Sequence, residues 1–169
     1  AAATSLPVIL YNIPGRTAVR ISNETLLRLA EIDNIVAVKD ATGDFNGASE
    51  LVAKAPPDFE LIAGDDMSTF ALVCLGGTGV ISVTSHVAGE RMKQMIELAS
   101  AGDLEGARKI HHELIPLYQG LFITTSPIPV KAAMALVGQP VGPPRLPLVP
   151  ATEDEIGRIK KAMEDAGVL

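Results

Sequence analysis

The sequence predicts an α/β fold whose first half is a parallel sheet and whose second half is helical. Three observations carry this reading. Four short apolar runs punctuate the first half: Val8-Ile9-Leu10-Tyr11, Ile35-Val36-Ala37-Val38, Leu61-Ile62-Ala63 and Val80-Ile81-Ser82-Val83. None alternates cleanly between apolar and polar side chains, which suits parallel strands covered on both faces. Helical segments separate the runs, and no convincing strand follows Val83. The resulting β-α-β-α-β-α-β order implies parallel strands joined by right-handed crossovers.

The helices follow in order. Ser22 or Asn23 is placed to cap a helix over residues 24–32, where Leu26, Leu27, Leu29 and Ala30 form a stripe. A second helix spans residues 46–55 and stops at Pro56-Pro57. A third spans 66–75, with Asp66 as its N-cap and Gly76-Gly77 as its stop. Residues 90–101 are amphipathic through Met92, Met95, Ile96 and Ala99. Residues 104–121 form another helix, with an interruption expected near Pro116. Residues 127–137 form a third in this half. The proline-rich stretch 142–150 reads as an extended connector. Thr152 and Glu155 have capping-box spacing for a last helix ending near Ala166. The expected organisation is residues 1–87 for the sheet part and 88–169 for the helical part.

Apolar residues make up 47% of the 169 and charged residues 20%, a balance that favours a folded globular chain over a disordered one. The net charge of -6 and the scattered Lys and Arg residues argue against nucleic acid or an anionic membrane as partner. No apolar run approaches the roughly 18 residues of a membrane-spanning helix. The start, Ala1-Ala2-Ala3-Thr4-Ser5, lacks the charged segment of a secretory signal. It also lacks a methionine and leads into a strand almost at once, so the chain reads as a piece of a longer polypeptide. The lone Cys74 suits a reducing compartment, with the cytoplasm as the expected location, and its apolar run makes it a core side chain by expectation.

Lys39 is the first residue with chemical promise. It ends a wholly apolar strand, and in parallel α/β folds ligands bind at that end of the sheet. A desolvated lysine becomes a nucleophilic amine. The competing reading is a snorkelling lysine paired with Asp40 or Asp44. Tyr11 ends its own strand 28 positions earlier, a separation that fits one strand-helix unit. If the two strands are neighbours, their ends lie about 5 Å apart, and the phenol can reach the lysine amine and relay protons; otherwise it is a wall residue. Arg16 follows the Pro14-Gly15 turn and suits bidentate capture of a carboxylate. Gly64 permits close backbone approach to a small ligand, and Ile81 completes the ring of strand ends. Asp65-Asp66 lacks a third ligand at metal spacing, and no metal is expected. His111 and His112 read as a solvated helix face. His86 follows the last strand and receives no role.

Taken together, these segments resemble a known family. Tyr11-Asn12-Ile13-Pro14-Gly15-Arg16-Thr17, Lys39-Asp40-Ala41-Thr42-Gly43, Ala63-Gly64-Asp65-Asp66 and Gly79-Val80-Ile81-Ser82-Val83-Thr84 are similar to signature segments of the dihydrodipicolinate synthase/N-acetylneuraminate lyase family. Ile128-Pro129-Val130-Lys131 and Arg145-Leu146-Pro147-Leu148 resemble its C-terminal helical region. Members are considerably longer, and this chain matches strands five to eight of a (β/α)8 barrel and the helices that follow.

The resemblance implies that Lys39 condenses with pyruvate as a Schiff base and then an enamine, with no separate cofactor. Tyr11 would be the proton-relay tyrosine, and Arg16 would hold the carboxylate of aspartate semialdehyde. Gly64 and Ile81 would lie around bound pyruvate. The family's homotetramer, or the N-terminal half of the barrel, becomes the expected partner. Sugar-acid lyases of the family share the lysine and the tyrosine but usually lack the Gly-Arg pair, so Arg16 favours the synthase. A non-catalytic half-barrel, useful only in assembly, is the remaining alternative. In a half-barrel, interior side chains such as Ile9, Ala37 and Ile62 are expected to face water or a gap.

Overall fold

The computed structural model describes residues 1–169, which divide into two compact units, Ala1–Ser82 and Val83–Leu169. In the first unit, β1 (Val8–Asn12) leads through a one-turn α1 (Pro14–Thr17) to α2 (Asn23–Ala30) and β2 (Ile35–Asp40). Then come α3 (Phe45–Lys54), β3 (Glu60–Ala63), α4 (Thr69–Cys74) and β4 (Gly79–Val80). The strands form one sheet in the order β1-β2-β3-β4, with every neighbouring pair parallel.

The two faces of this sheet differ. Val38, Leu61 and Ala63 are buried against Leu26 of α2, Ala48 and Leu51 of α3, and Leu72 of α4, with Leu10 and Val80 packed beside them. Each fully buried leucine in this layer contributes on the order of 1.5–3 kcal/mol. Ile9 and Tyr11 of β1 are each 46% exposed, so β1 alternates after all. Ile9 and the partly buried Ile62 follow the expectation of an incompletely covered face. Ala37 departs from it at 1% exposure: it is the smallest side chain in its row, between Ile9 of β1 and Glu60 of β3.

Several elements differ from their expected bounds. Asp66 does not cap α4. Asp65 turns back instead, accepting from the backbone N–H and the hydroxyl of Ser68, each at 2.9 Å. That turn delays the helix to Thr69 and leaves it six residues long. The strand expected over Val80-Ile81-Ser82-Val83 is confined to Gly79 and Val80, although the Ile81 N–H still reaches the Ala63 carbonyl at 3.0 Å. It ends there because β3 ends at Ala63. Cys74 is exposed rather than in the core: at the last position of α4 its side chain lies off the buried stripe of Thr69, Leu72 and Val73.

The second unit contains α5 (Ser85–Ser100), α6 (Leu104–Gly120), α7 (Ile128–Leu136) and α8 (Glu153–Asp165). Helix α5 starts earlier than its amphipathic stripe, running through a non-helical Ala88. Met92, Met95 and Ala99 are buried as the stripe predicts. Pro116 does not interrupt α6. Its ring removes one backbone bond, and the buried Leu114, Leu117 and Tyr118 hold the helix in place around that position. Gly120 of α6 lets α8 approach closely, since a Cβ there would lie 2.3 Å from the Ala162 Cβ. Thr152 and Glu155 form the expected capping box. The Lys131 ammonium donates to the carbonyls of Val141, Gly142 and Pro143 at 3.2–3.4 Å, fastening the extended connector to α7.

Candidate active site

The register of the sheet aligns the chemical residues. Tyr11 pairs with Lys39, Lys39 with Ile62, and Ile62 with Gly79, so one row crosses all four strands, near the C-terminal ends of β1, β2 and β3. Side chains paired this way share a face, here the one turned away from α2, α3 and α4. Lys39 Nζ lies 4.1 Å from the centre of the Tyr11 ring, within cation–π range. The half-buried lysine has no carboxylate partner, so the snorkelling alternative does not describe it. Asp40 accepts from the Thr42 N–H at 3.0 Å and the Thr42 hydroxyl at 2.8 Å. Asp44 caps α3 by accepting from the Gly47 N–H at 2.9 Å and pairs with Arg20. The Arg20 guanidinium, and after it the Gly47 N–H, hold the Asp44 carboxyl below its ordinary value of 3.8.

Arg16 sits in the last turn of α1 and is exposed, with no ion pair. Its loop is nevertheless well ordered by its own bonds. The Thr17 hydroxyl bridges the carbonyls of Ile13 and Val19 at 3.0 and 2.9 Å. Ala18 closes α1 in the left-handed region at φ 57°. Gly64 has a stricter reason to be glycine than ligand access: a Cβ would meet the Asp40 carbonyl oxygen at 2.9 Å. Ile81 is 44% exposed just beyond β4.

Two features went unread in the sequence. Asn12, 2% exposed, binds both backbone polar groups of Ile21. Arg20 joins the β1–α2 loop to Asp44. A polar residue closing an otherwise apolar strand was the available signal for Asn12. The charge pair had none, because partners 24 positions apart have no local pattern. His86 belongs to α5 and is exposed. His111 is half-buried while His112 is exposed, so only His112 sits on a solvated face. No group of three or more His, Cys, Asp or Glu side chains is arranged to hold a metal ion.

Four consecutive parallel β-α units followed by helices have the architecture of the C-terminal half of a (β/α)8 barrel. Solved structures agree. Dihydrodipicolinate synthase from Cyanidioschyzon merolae with lysine bound superimposes with a TM-score of 0.95 at 45% identity, over 99% of this chain and 57% of that one. The chloride-inhibited enzyme from Acinetobacter baumannii complexed with pyruvate gives 0.95 at 40% identity, over 99% and 58%. The 4-hydroxy-tetrahydrodipicolinate synthase of Moorella thermoacetica is 52% identical over all 169 residues, which span 58% of its length. The dihydrodipicolinate synthetase family model matches residues 1–166, and the chain belongs to that family. It spans little more than half the length of the curated relatives it matches.

Proposed function

We propose that this chain carries the lysine-bearing half of a 4-hydroxy-tetrahydrodipicolinate synthase site, a class I aldolase-type lyase acting in lysine and diaminopimelate biosynthesis. The observation that carries the reading is the Lys39 amine poised 4.1 Å from the centre of the Tyr11 ring. Names and ligands of the relatives support it: a synthase at 52% identity, and a structural neighbour complexed with pyruvate.

In this reading the unprotonated Lys39 amine attacks the pyruvate ketone, and loss of water leaves an iminium. Loss of a methyl proton converts the iminium to an enamine, whose carbon attacks the aldehyde of L-aspartate 4-semialdehyde; the semialdehyde's amine then attacks the regenerated iminium carbon, closing the ring and releasing Lys39. Each step moves a proton at the amine, the ketone oxygen, the methyl carbon or the aldehyde oxygen. The Tyr11 hydroxyl is the group assigned to carry it. Arg16 binds the semialdehyde carboxylate, and Gly64 and Ile81 border the pyruvate subsite. The electron sink is the protonated imine itself, so the chemistry calls for no separate cofactor. The working assembly is a homotetramer of complete barrels in the cytoplasm, with small-molecule substrates and neither nucleic acid nor membrane as partner.

The test is borohydride reduction in the presence of pyruvate, followed by intact-mass and peptide analysis. One reduced pyruvate adduct on the Lys39 peptide is expected. Labelling at Lys54 or Lys131 instead would remove Lys39 from its assigned role. Release of pyruvate from sialic or keto-deoxy sugar acids, without synthase turnover, would move the assignment to the sugar-acid lyases.

A further inference from the structure

We propose that Asn12 is a positioning residue that fixes the Arg16 loop to the strand ends beside Lys39, an inference that rests on the assignment of Arg16 as the carboxylate clamp. Asn12 is the last residue of β1, next to Tyr11 but on the opposite face. Its side-chain amide donates to the Ile21 carbonyl at 3.0 Å, and its side-chain oxygen accepts from the Ile21 N–H at 3.1 Å. Those two bonds close residues 13–20 into a loop, holding its far end as a neighbouring strand would. The Asn12 carbonyl also accepts from the Ala41 N–H at 2.9 Å. One residue therefore ties the Arg16 loop on one side and the segment after Lys39 on the other.

The loop is rigid within itself, through Thr17, Ala18 and the bonds of α1, so the position of Arg16 depends on how its ends are anchored. A second anchor exists. Arg20 pairs with Asp44, whose own N–H donates to the Thr42 hydroxyl at 3.1 Å, and Thr42 donates to Asp40. That route runs through an ion pair with 46% and 33% side-chain exposure, and exposed pairs hold weakly because water and salt screen them. The Asn12 amide is buried, and losing it removes the partner of both backbone polar groups of the partly buried Ile21. Asn12 is therefore the dominant anchor.

The experiment has a structural and a kinetic arm. Amide hydrogen exchange of the 169-residue chain should show residues 13–21 exchanging about tenfold or more faster in Asn12→Ala, with β2 changed less than about twofold. In the protein completed to the full barrel, Asn12→Ala should raise KM for aspartate semialdehyde about tenfold while the rate of pyruvate adduct formation stays within about twofold. Asn12→Asp keeps an acceptor for the Ile21 N–H but sets a carboxylate against the Ile21 carbonyl in a buried site, so it should be at least as damaging as Asn12→Ala. In an Arg16→Ala background, Asn12→Ala should add no more than about twofold to KM, since it acts through the missing guanidinium. Unchanged exchange in the loop, or a further tenfold loss in the Arg16→Ala background, overturns the proposal. An unchanged KM in Arg16→Ala alone overturns the clamp, and with it the kinetic half of the proposal.

Discussion

Two arginines four positions apart have different surroundings, and that difference bears on what each can do. Arg20 is paired with Asp44, whereas Arg16 lies in the last turn of α1 without a partner. A guanidinium held on a stiff loop and left unpaired has its donors available to a ligand carboxylate. Arg16→Ala should therefore weaken transition-state binding of the semialdehyde by about 2–4 kcal/mol, measured as kcat/KM, with the imine-forming half-reaction retained. Equal losses in both half-reactions would make Arg16 a structural residue. The positions of Lys39 and Tyr11 were legible because a charged and a phenolic side chain next to the last residue of apolar strands stand out against their neighbours, and their spacing matched one β-α unit. The contact between them was not legible. It follows from the register of β1 on β2, which no local pattern records. Gly64 was singled out for ligand access, whereas the feature the structure adds is local: the nearest obstacle to a side chain there is the Asp40 backbone.

At the scale of elements, buried stripes were read more reliably than ends. The stripes of α2 and α5 bury Leu26, Met92 and Met95 as their spacing requires, because apolar periodicity and burial share one cause. Ends depend on individual hydrogen bonds, and the Asp65–Ser68 turn displaced the start of α4. Pro116 shows the converse, where packing on both sides overrides a local breaker. Close packing of α6 on α8 leads to a prediction. Gly120→Ala places a methyl group where the Ala162 Cβ already stands, and relief by helix displacement should cost about 1–3 kcal/mol, seen as a lower denaturation midpoint with little change in m. His111 gives a second. Burial first, and the neighbouring His112 second, push its pKa below 6.5. The unfolded chain then binds the proton more readily than the folded one, so stability falls as pH drops below 6.5 and through the lower folded-state pKa. His111→Gln should flatten denaturation midpoints measured between pH 7 and 5; an unchanged slope would assign the acid sensitivity elsewhere.

For the molecule as a whole, the decisive feature is a four-stranded parallel sheet with one covered and one uncovered face. A closed barrel has no free strand edges, whereas this sheet ends at β1 on one side and β4 on the other. Ile9, Tyr11 and Ile81 lie 44–46% exposed beside or beyond those edges. Burying side chains of this size contributes on the order of 1.5–3 kcal/mol each when complete, against a typical domain stability of about 5–15 kcal/mol. The isolated chain should accordingly be marginally stable and self-associate, with sedimentation giving species larger than the 17.7 kDa monomer. Mixing it with a separately produced N-terminal half from a relative should instead give a one-to-one complex, because that half offers strands for both edges and a face for the open one. Pyruvate trapping on Lys39 should rise in the complex, where the Tyr11 hydroxyl gains its missing surroundings. A complex that forms without any adduct would support an assembly role without catalysis. A monodisperse 17.7 kDa monomer with full synthase turnover would show that the four strands already hold a complete site.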